Sequence, residues 1–171
     1  MLRRPEIHEF AAFQKKYIDL APDNIIGHLE EQNESFKIFL SQLNPDQLNH
    51  KYQEDKWTIK EVAFHIIDTE RIFNYRALSI ARKDPQALPG FDQDDYVREE
   101  FFKDLDLSYL IDFFDITRKS TLIMYKGFNP EQWELSGQMS SYKMGLIAFP
   151  YMNAGHLTHH LNIINERYLI Q

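Results

Sequence analysis

Cysteine is absent from the 171 residues. Disulfides and thiolate metal sites are therefore excluded, and any transition metal has to be held by imidazole and carboxylate. Basic charge is in deficit: 19 Lys and Arg face 26 Asp and Glu, for a formal charge of -7. That sign argues against a nucleic-acid surface, which needs a basic patch to release counterions. Arg3, Arg4, Lys15 and Lys16 come nearest to one and read as a solvated N-terminal segment. No run reaches the roughly 18 apolar residues of a membrane span. Glu6, His8 and Glu9 fall where a secretory signal would carry its apolar stretch. The expectation is a soluble, cytoplasmic protein with no nucleic-acid or membrane partner. A Gly-rich phosphate loop and a G-x-S-x-G elbow are also missing.

What is present suits a packed globule: 43% hydrophobic and 14% aromatic residues, with no region set apart by composition. One domain over residues 1–171 is expected, long enough to bury roughly 68–70% of its unfolded surface. Four segments have helical spacing. The first runs from about Asp23, a good N-cap, to Leu43, with Ile25, Leu29, Phe36, Leu40 and Leu43 as its stripe and Asn33 interrupting it. The second starts at Thr58, which makes a capping box with Glu61, and runs to about Arg82 before Asp84-Pro85. The third runs from Ser108, as N-cap, to Lys126, with Gly127 as its stop; Leu110, Phe113, Phe114, Thr117, Thr121 and Met124 face inward. The fourth begins between Lys143 and Pro150 and reaches about Leu169; Pro150 stands in its first turn or at a kink.

A long connection, Asp84 to Leu107, separates the second and third helices, with a turn at Pro89-Gly90 and room for a helical turn or two over Tyr96–Lys103. A short repeat is also visible. Asn44-Pro45-Asp46-Gln47 recurs as Asn129-Pro130-Glu131-Gln132, and Val62-Ala63-Phe64 as Ile147-Ala148-Phe149 in the same register. Asn as N-cap with Pro at the first helical position explains each N-P element locally. Duplication of a helix pair and chance both remain open. Two helix pairs and one long crossover fit a four-helix bundle.

Of seven histidines, three are placed differently from the rest. His156 and His160 are four apart on the last helix, so their side chains point the same way, at the edge of the Leu157, Leu161, Ile164, Tyr168 stripe. His65 shares the buried face of Val62. A pair at this spacing can place two imidazole nitrogens on one ion, and a third from a facing helix leaves coordination positions open, the pattern of a catalytic site. H-x-x-x-H alone is a weak signal, and three hydrogen-bonded core histidines would account for the same residues. His156 is followed by Leu157, not by the Glu of the zinc-protease signature. His159 falls on the more polar side of the helix. Asp92, Asp94 and Asp95 resemble a calcium loop only superficially, lacking its central Gly and terminal Glu. Asp68 and Glu70 are candidate acceptors for an imidazole N–H, with exposed helix carboxylates as the default. Three imidazoles suit Zn, Ni, Fe or Cu almost equally.

The segment Trp57-Thr58-Ile59-Lys60-Glu61-Val62-Ala63-Phe64-His65-Ile66-Ile67-Asp68-Thr69-Glu70-Arg71 resembles the second-helix motif of the DinB-like (damage-inducible) superfamily. Leu88-Pro89-Gly90-Phe91-Asp92-Gln93-Asp94 and Ala154-Gly155-His156-Leu157-Thr158-His159-His160-Leu161-Asn162 resemble its other two landmarks, in matching order and spacing over nearly the whole chain. The resemblance implies an all-α, up-down-down-up four-helix bundle and a three-histidine site for Zn or Ni, often in a homodimer. The family includes YfiT-like proteins assigned as metal hydrolases and thiol-dependent enzymes such as bacillithiol transferases and maleylpyruvate isomerase. Carried over, the metal ligands are His65, His156 and His160. Leu157 departs from an acidic residue that many relatives carry there, which puts a nearby general base in doubt. The functional expectation is a metal-dependent enzyme acting on a small molecule, as a hydrolase or a transferase using a low-molecular-weight thiol. A non-catalytic metal-dependent module and a purely structural bundle stand as alternatives.

Overall fold

The computed structural model describes residues 2–99 and 101–169. Two 3₁₀ turns, Ile7–Glu9 and Ala12–Gln14, lead into a short helix α1, Lys15–Ile18. Then come α2 (Ile25–Ser41), α3 (Pro45–Leu48), α4 (Ile59–Ala81), α5 (Gln93–Arg98), α6 (Leu107–Lys126) and α7 (Pro130–Trp133). Strands β1 (Ser136–Gln138) and β2 (Lys143–Gly145) pair antiparallel before α8 (Ala148–Ile163), which ends in a π-helical turn, Ile164–Tyr168. This small hairpin, with Ser136 opposite Gly145, adds a β element to the expected all-α chain; three-residue strands are too short to leave a periodic signal.

Local chemistry sets several boundaries at the positions expected for them. The Thr58 side chain accepts from the Glu61 N–H at 3.1 Å while Glu61 takes the Thr58 N–H, so α4 starts as expected. Asn44 and Asn129 cap α3 and α7 identically, each accepting from the Gln N–H three residues on at 2.8 Å. Two caps differ. Asp23 does not cap α2; its carboxylate pairs with Arg4 at 2.9 Å, and Asn24 occupies the N-cap without a side-chain bond. Ser108 lies inside α6, because Asp106 accepts the Tyr109 N–H at 2.8 Å and starts the helix two residues earlier. The start of α8 at Ala148 puts Pro150 in its first turn, where a missing N–H costs nothing; Lys143 belongs to β2 instead. In the connection after α4, the helical turns fall at Gln93–Arg98 and not over Tyr96–Lys103. Asp92 moves them forward by accepting from the Asp94 and Asp95 N–H groups as the N-cap.

Pairings between the long helices fix the topology. α2 packs against α6 and α8, and α4 against the same two. Gln32 meets Arg118 while Lys37 meets Asp115, so α2 and α6 are antiparallel. Phe64 faces Phe113, Glu70 holds Arg118 and Asn74 donates to Thr121, so α4 and α6 run parallel. His65 meets His156 and Phe73 meets Phe149, so α4 and α8 are antiparallel. The result is an up-down-down-up four-helix bundle.

Two apolar clusters fill it, one with Leu29, Phe73 and Phe149, the other with Phe36, Phe64 and Phe114. Between them along the helices lies a buried polar layer. Asn33, which interrupts the α2 stripe, is buried in it and donates to Asp115 at 2.8 Å. Arg118, 0% exposed, donates through Nε and Nη2 to Glu70 (3% exposed) at 2.8–3.1 Å, and through Nη1 to the Leu29 carbonyl and Gln32. Thr121 donates to the same carboxylate at 2.6 Å. Burying an ion pair is tolerable only with further hydrogen bonds, and here each guanidinium nitrogen has a partner.

Candidate metal centre

The buried faces of α4 and α8 meet at three histidines. His65 Nε2 and His156 Nε2 are 3.1 Å apart, and so are His160 Nε2 and His156 Nε2. Among the described residues these three form a group whose ligand atoms all lie within 4.8 Å of one another. Two nitrogens each about 2.0–2.1 Å from one ion stand roughly 3 Å apart, so the spacing fits a shared divalent transition metal. Hydrogen bonding accounts for it poorly. A neutral ring offers one N–H and one lone pair on its two nitrogens, and His156 Nε2 cannot align a single one of these with two partners.

Burial supplies neutral rings. It lowers His65 from 6.5 to about 4. It also holds His156 and His160 well below the ordinary value, with neighbouring imidazoles and Lys16 adding to the effect. Metal ligands need deprotonated imidazole, so burial favours the binding form. Sequence reasoning missed the groups that orient the rings. Thr69 Oγ1 is 3.4 Å from His65 Nδ1, one helical turn along, where an N–H would leave Nε2 free as a lone pair. The Trp57 ring packs 5.0 Å from His65, and Tyr17 of α1 packs 5.5 Å from His156. Thr69 was findable from its spacing of four; Tyr17 carries no such signal.

The other candidates fall elsewhere. Glu70 is committed to Arg118 and Thr121 and does not accept from an imidazole. Asp68 is half-buried, which raises its carboxyl, but it bonds to no histidine. His159 is half-buried against Tyr17, 5.2 Å between rings, and outside the three-histidine group. Leu157, 0% exposed, is part of the apolar core, so no acid–base group follows His156.

Two clefts open on the histidines from different sides. One, of about 260 Å³, is lined by His65 and His156 with Tyr17, Phe73, Arg76 and Phe91 among its walls. The other, of about 340 Å³, reaches His160 past Trp57 and Tyr168. Gln93, the first residue of α5, lines both. The connection between α4 and α6 thus contributes to the site's walls through Phe91 and Gln93.

Comparison with known proteins identifies the family and the fold. The sequence pattern of the DinB superfamily matches residues 28–164, a span that includes all three histidines. No curated protein matches the chain in sequence. Among solved structures, the chain is similar to YfiT from Bacillus subtilis, described as a "probable metal-dependent hydrolase with an unusual four-helix bundle topology". The TM-score is 0.75 at 16% identity, covering 96% of this chain and 91% of that one, a likeness of fold.

Proposed function

This chain belongs to the DinB superfamily, and from that premise we propose that it is a metal-dependent enzyme acting on a small molecule at a centre held by His65, His156 and His160. The observation that carries the reading is the convergence of three neutral Nε2 atoms beside an open cleft. A bound Zn or Ni ion would supply Lewis acidity, for hydrolysis or for activation of a small thiol. The chain's own groups do the rest. Thr69 holds the orientation of His65, Trp57 and Tyr17 shield the rings, and the cleft admits a ligand to two of the three histidines. Its volume of about 260 Å³ is just below the ~300–1,000 Å³ common for ligand pockets, which suits a small substrate.

The test is metal-dependent turnover. The protein is purified with its metal, the ion is identified by anomalous scattering, and thiol transfer and ester or amide hydrolysis are assayed. His160→Ala is expected to lose both metal and turnover. Turnover that survives the substitution removes the metal mechanism, and stoichiometric metal without any turnover leaves a binding module.

A further inference from the structure

Among the described residues, two arginines are buried in the bundle, and their surroundings differ. Arg118 has a partner for each of its three nitrogens, centred on the Glu70 carboxylate. Arg76, 6% exposed, differs: among the described residues its one hydrogen bond runs from Nη2 to the Pro89 carbonyl at 2.7 Å, its guanidinium lies 5.9 Å from the Phe91 ring, and no carboxylate pairs with it. A guanidinium has five N–H donors, so four have no acceptor among the described residues. None of these nitrogens is sealed away from solvent without a partner. Their side chain lines the cleft that also reaches His65 and His156.

We propose that Arg76 is a carboxylate-binding subsite in this cleft, and that the substrate of the metal centre is a small organic acid with an apolar body; the substrate assignment rests on the metal-dependent reading above. Three further features support it. No Asp or Glu is among the described residues lining the cleft, although the chain as a whole carries a charge of -7. Burial lowers the Arg76 pKa, so the guanidinium is only partly solvated, and an incoming anion would supply the counter-ion it lacks among the described residues. The planar fork matches a carboxylate in geometry as well as charge.

The same cleft extends from Arg76 to His65 and His156. Thr69, Phe73 and Arg76 follow His65 on one face of α4, at steps of four, four and three. Arg76 is eleven residues beyond His65, about 16 Å along the axis, so an acid held at Arg76 needs an extended body to reach the histidines, and hexanoate and benzoate probe the carboxylate end. Between the two ends stand Phe73, Phe91, Met139 and Met152, which offer apolar surface to a hydrocarbon body.

Wild-type protein carrying its metal is titrated calorimetrically with hexanoate and benzoate, and in parallel with hexanamide and benzamide, their neutral analogues. The acids are expected to bind at least tenfold tighter than the amides. Arg76→Gln is expected to weaken the acids roughly ten- to hundredfold while leaving metal content unchanged. Arg76→Lys, which keeps charge and loses the fork, should recover part of the difference. Equal affinity for acid and amide in the wild type, or no acid binding at millimolar concentration, overturns the proposal without needing any variant to fold. Acid binding undiminished in a folded Arg76→Gln protein also overturns it, since the carboxylate would then sit elsewhere. Arg76-dependent binding of inorganic phosphate in preference to the acids overturns the carboxylate assignment. Arg76-dependent acid binding to protein that takes up no metal keeps the subsite and removes the metal centre. Stoichiometric metal with no acid preference does the reverse.

Discussion

A Cβ atom on Gly155 would stand 1.8 Å from the backbone oxygen of Tyr17. The residue just before His156 is therefore the contact that lets α1 lie across α8, and with it the Tyr17 ring that walls the candidate site. The carbonyl is backbone, so it can yield only if α1 moves. Gly155→Ala is expected to destabilise the protein by about 1–3 kcal/mol or more, as overpacking does, although alanine is the better helix former. Urea unfolding measures the loss. A shift in Tyr17 fluorescence or NMR signals, with α8 helicity intact, would show that the displaced element is α1.

Metal removal should appear as a loss of stability. A ligand that binds only the folded chain stabilises it by about 2.7 kcal/mol when present at a hundred times its dissociation constant. For a chain of this size that is a fall of roughly 5–10 °C in Tm on treatment with a chelator, reversed by added Zn or Ni. His156→Ala is expected to abolish the chelator effect, because its Nε2 is common to both close contacts. An unchanged Tm in every arm would leave the three rings as core residues only.

The metal-free protein should weaken in acid. His65 titrates at about 4 in the folded chain against 6.5 ordinarily. Between those values the unfolded chain binds more protons, so stability is complete above about pH 6.5 and falls as pH drops toward about 4. The contribution at stake is on the order of 3 kcal/mol. His156 and His160 are shifted in the same direction and extend the decline. Urea midpoints across this range check it: His65→Gln should flatten the slope, and a wild-type protein equally stable throughout would contradict buried neutral imidazoles.

The Glu70–Arg118 pair predicts a non-additive result. Glu70→Leu leaves a guanidinium at 0% exposure without its counter-ion and should cost about 3–5 kcal/mol. Arg118→Met strands the carboxylate and should cost a similar amount. The double variant Glu70→Leu/Arg118→Met, with neither charge, is expected to be more stable than either single one. A double-mutant cycle in chemical denaturation measures the coupling, and simple additivity would mean that the pair is not coupled.

Features that depend on near neighbours are legible in the sequence. The Thr58–Glu61 box, the paired caps at Asn44 and Asn129, and the alignment of His156 with His160 all rest on residues three or four apart, where helix geometry leaves one outcome. The misplaced boundaries have the same local origin. Asp23 and Asn24, or Asp106 and Ser108, are good caps standing one or two positions apart, and the choice between them is made elsewhere: Asp23 is drawn to Arg4, nineteen residues away. The hairpin, Tyr17 against His156, and the fate of Glu70 left no periodic trace at all.

The amino-acid order alone determined four helices, the start of α4, and two imidazoles on one face, because backbone hydrogen bonds and side-chain periodicity act over a few residues. Folding decided what distance along the chain conceals. It brought His65 to His156 across 91 residues, paired Arg118 with Glu70 while leaving Arg76 without a carboxylate among the described residues, and opened a cleft that joins Arg76 to the histidines. Burial and charge neutralisation belong to the packed whole, since a side chain's solvent and partners exist only once the helices meet.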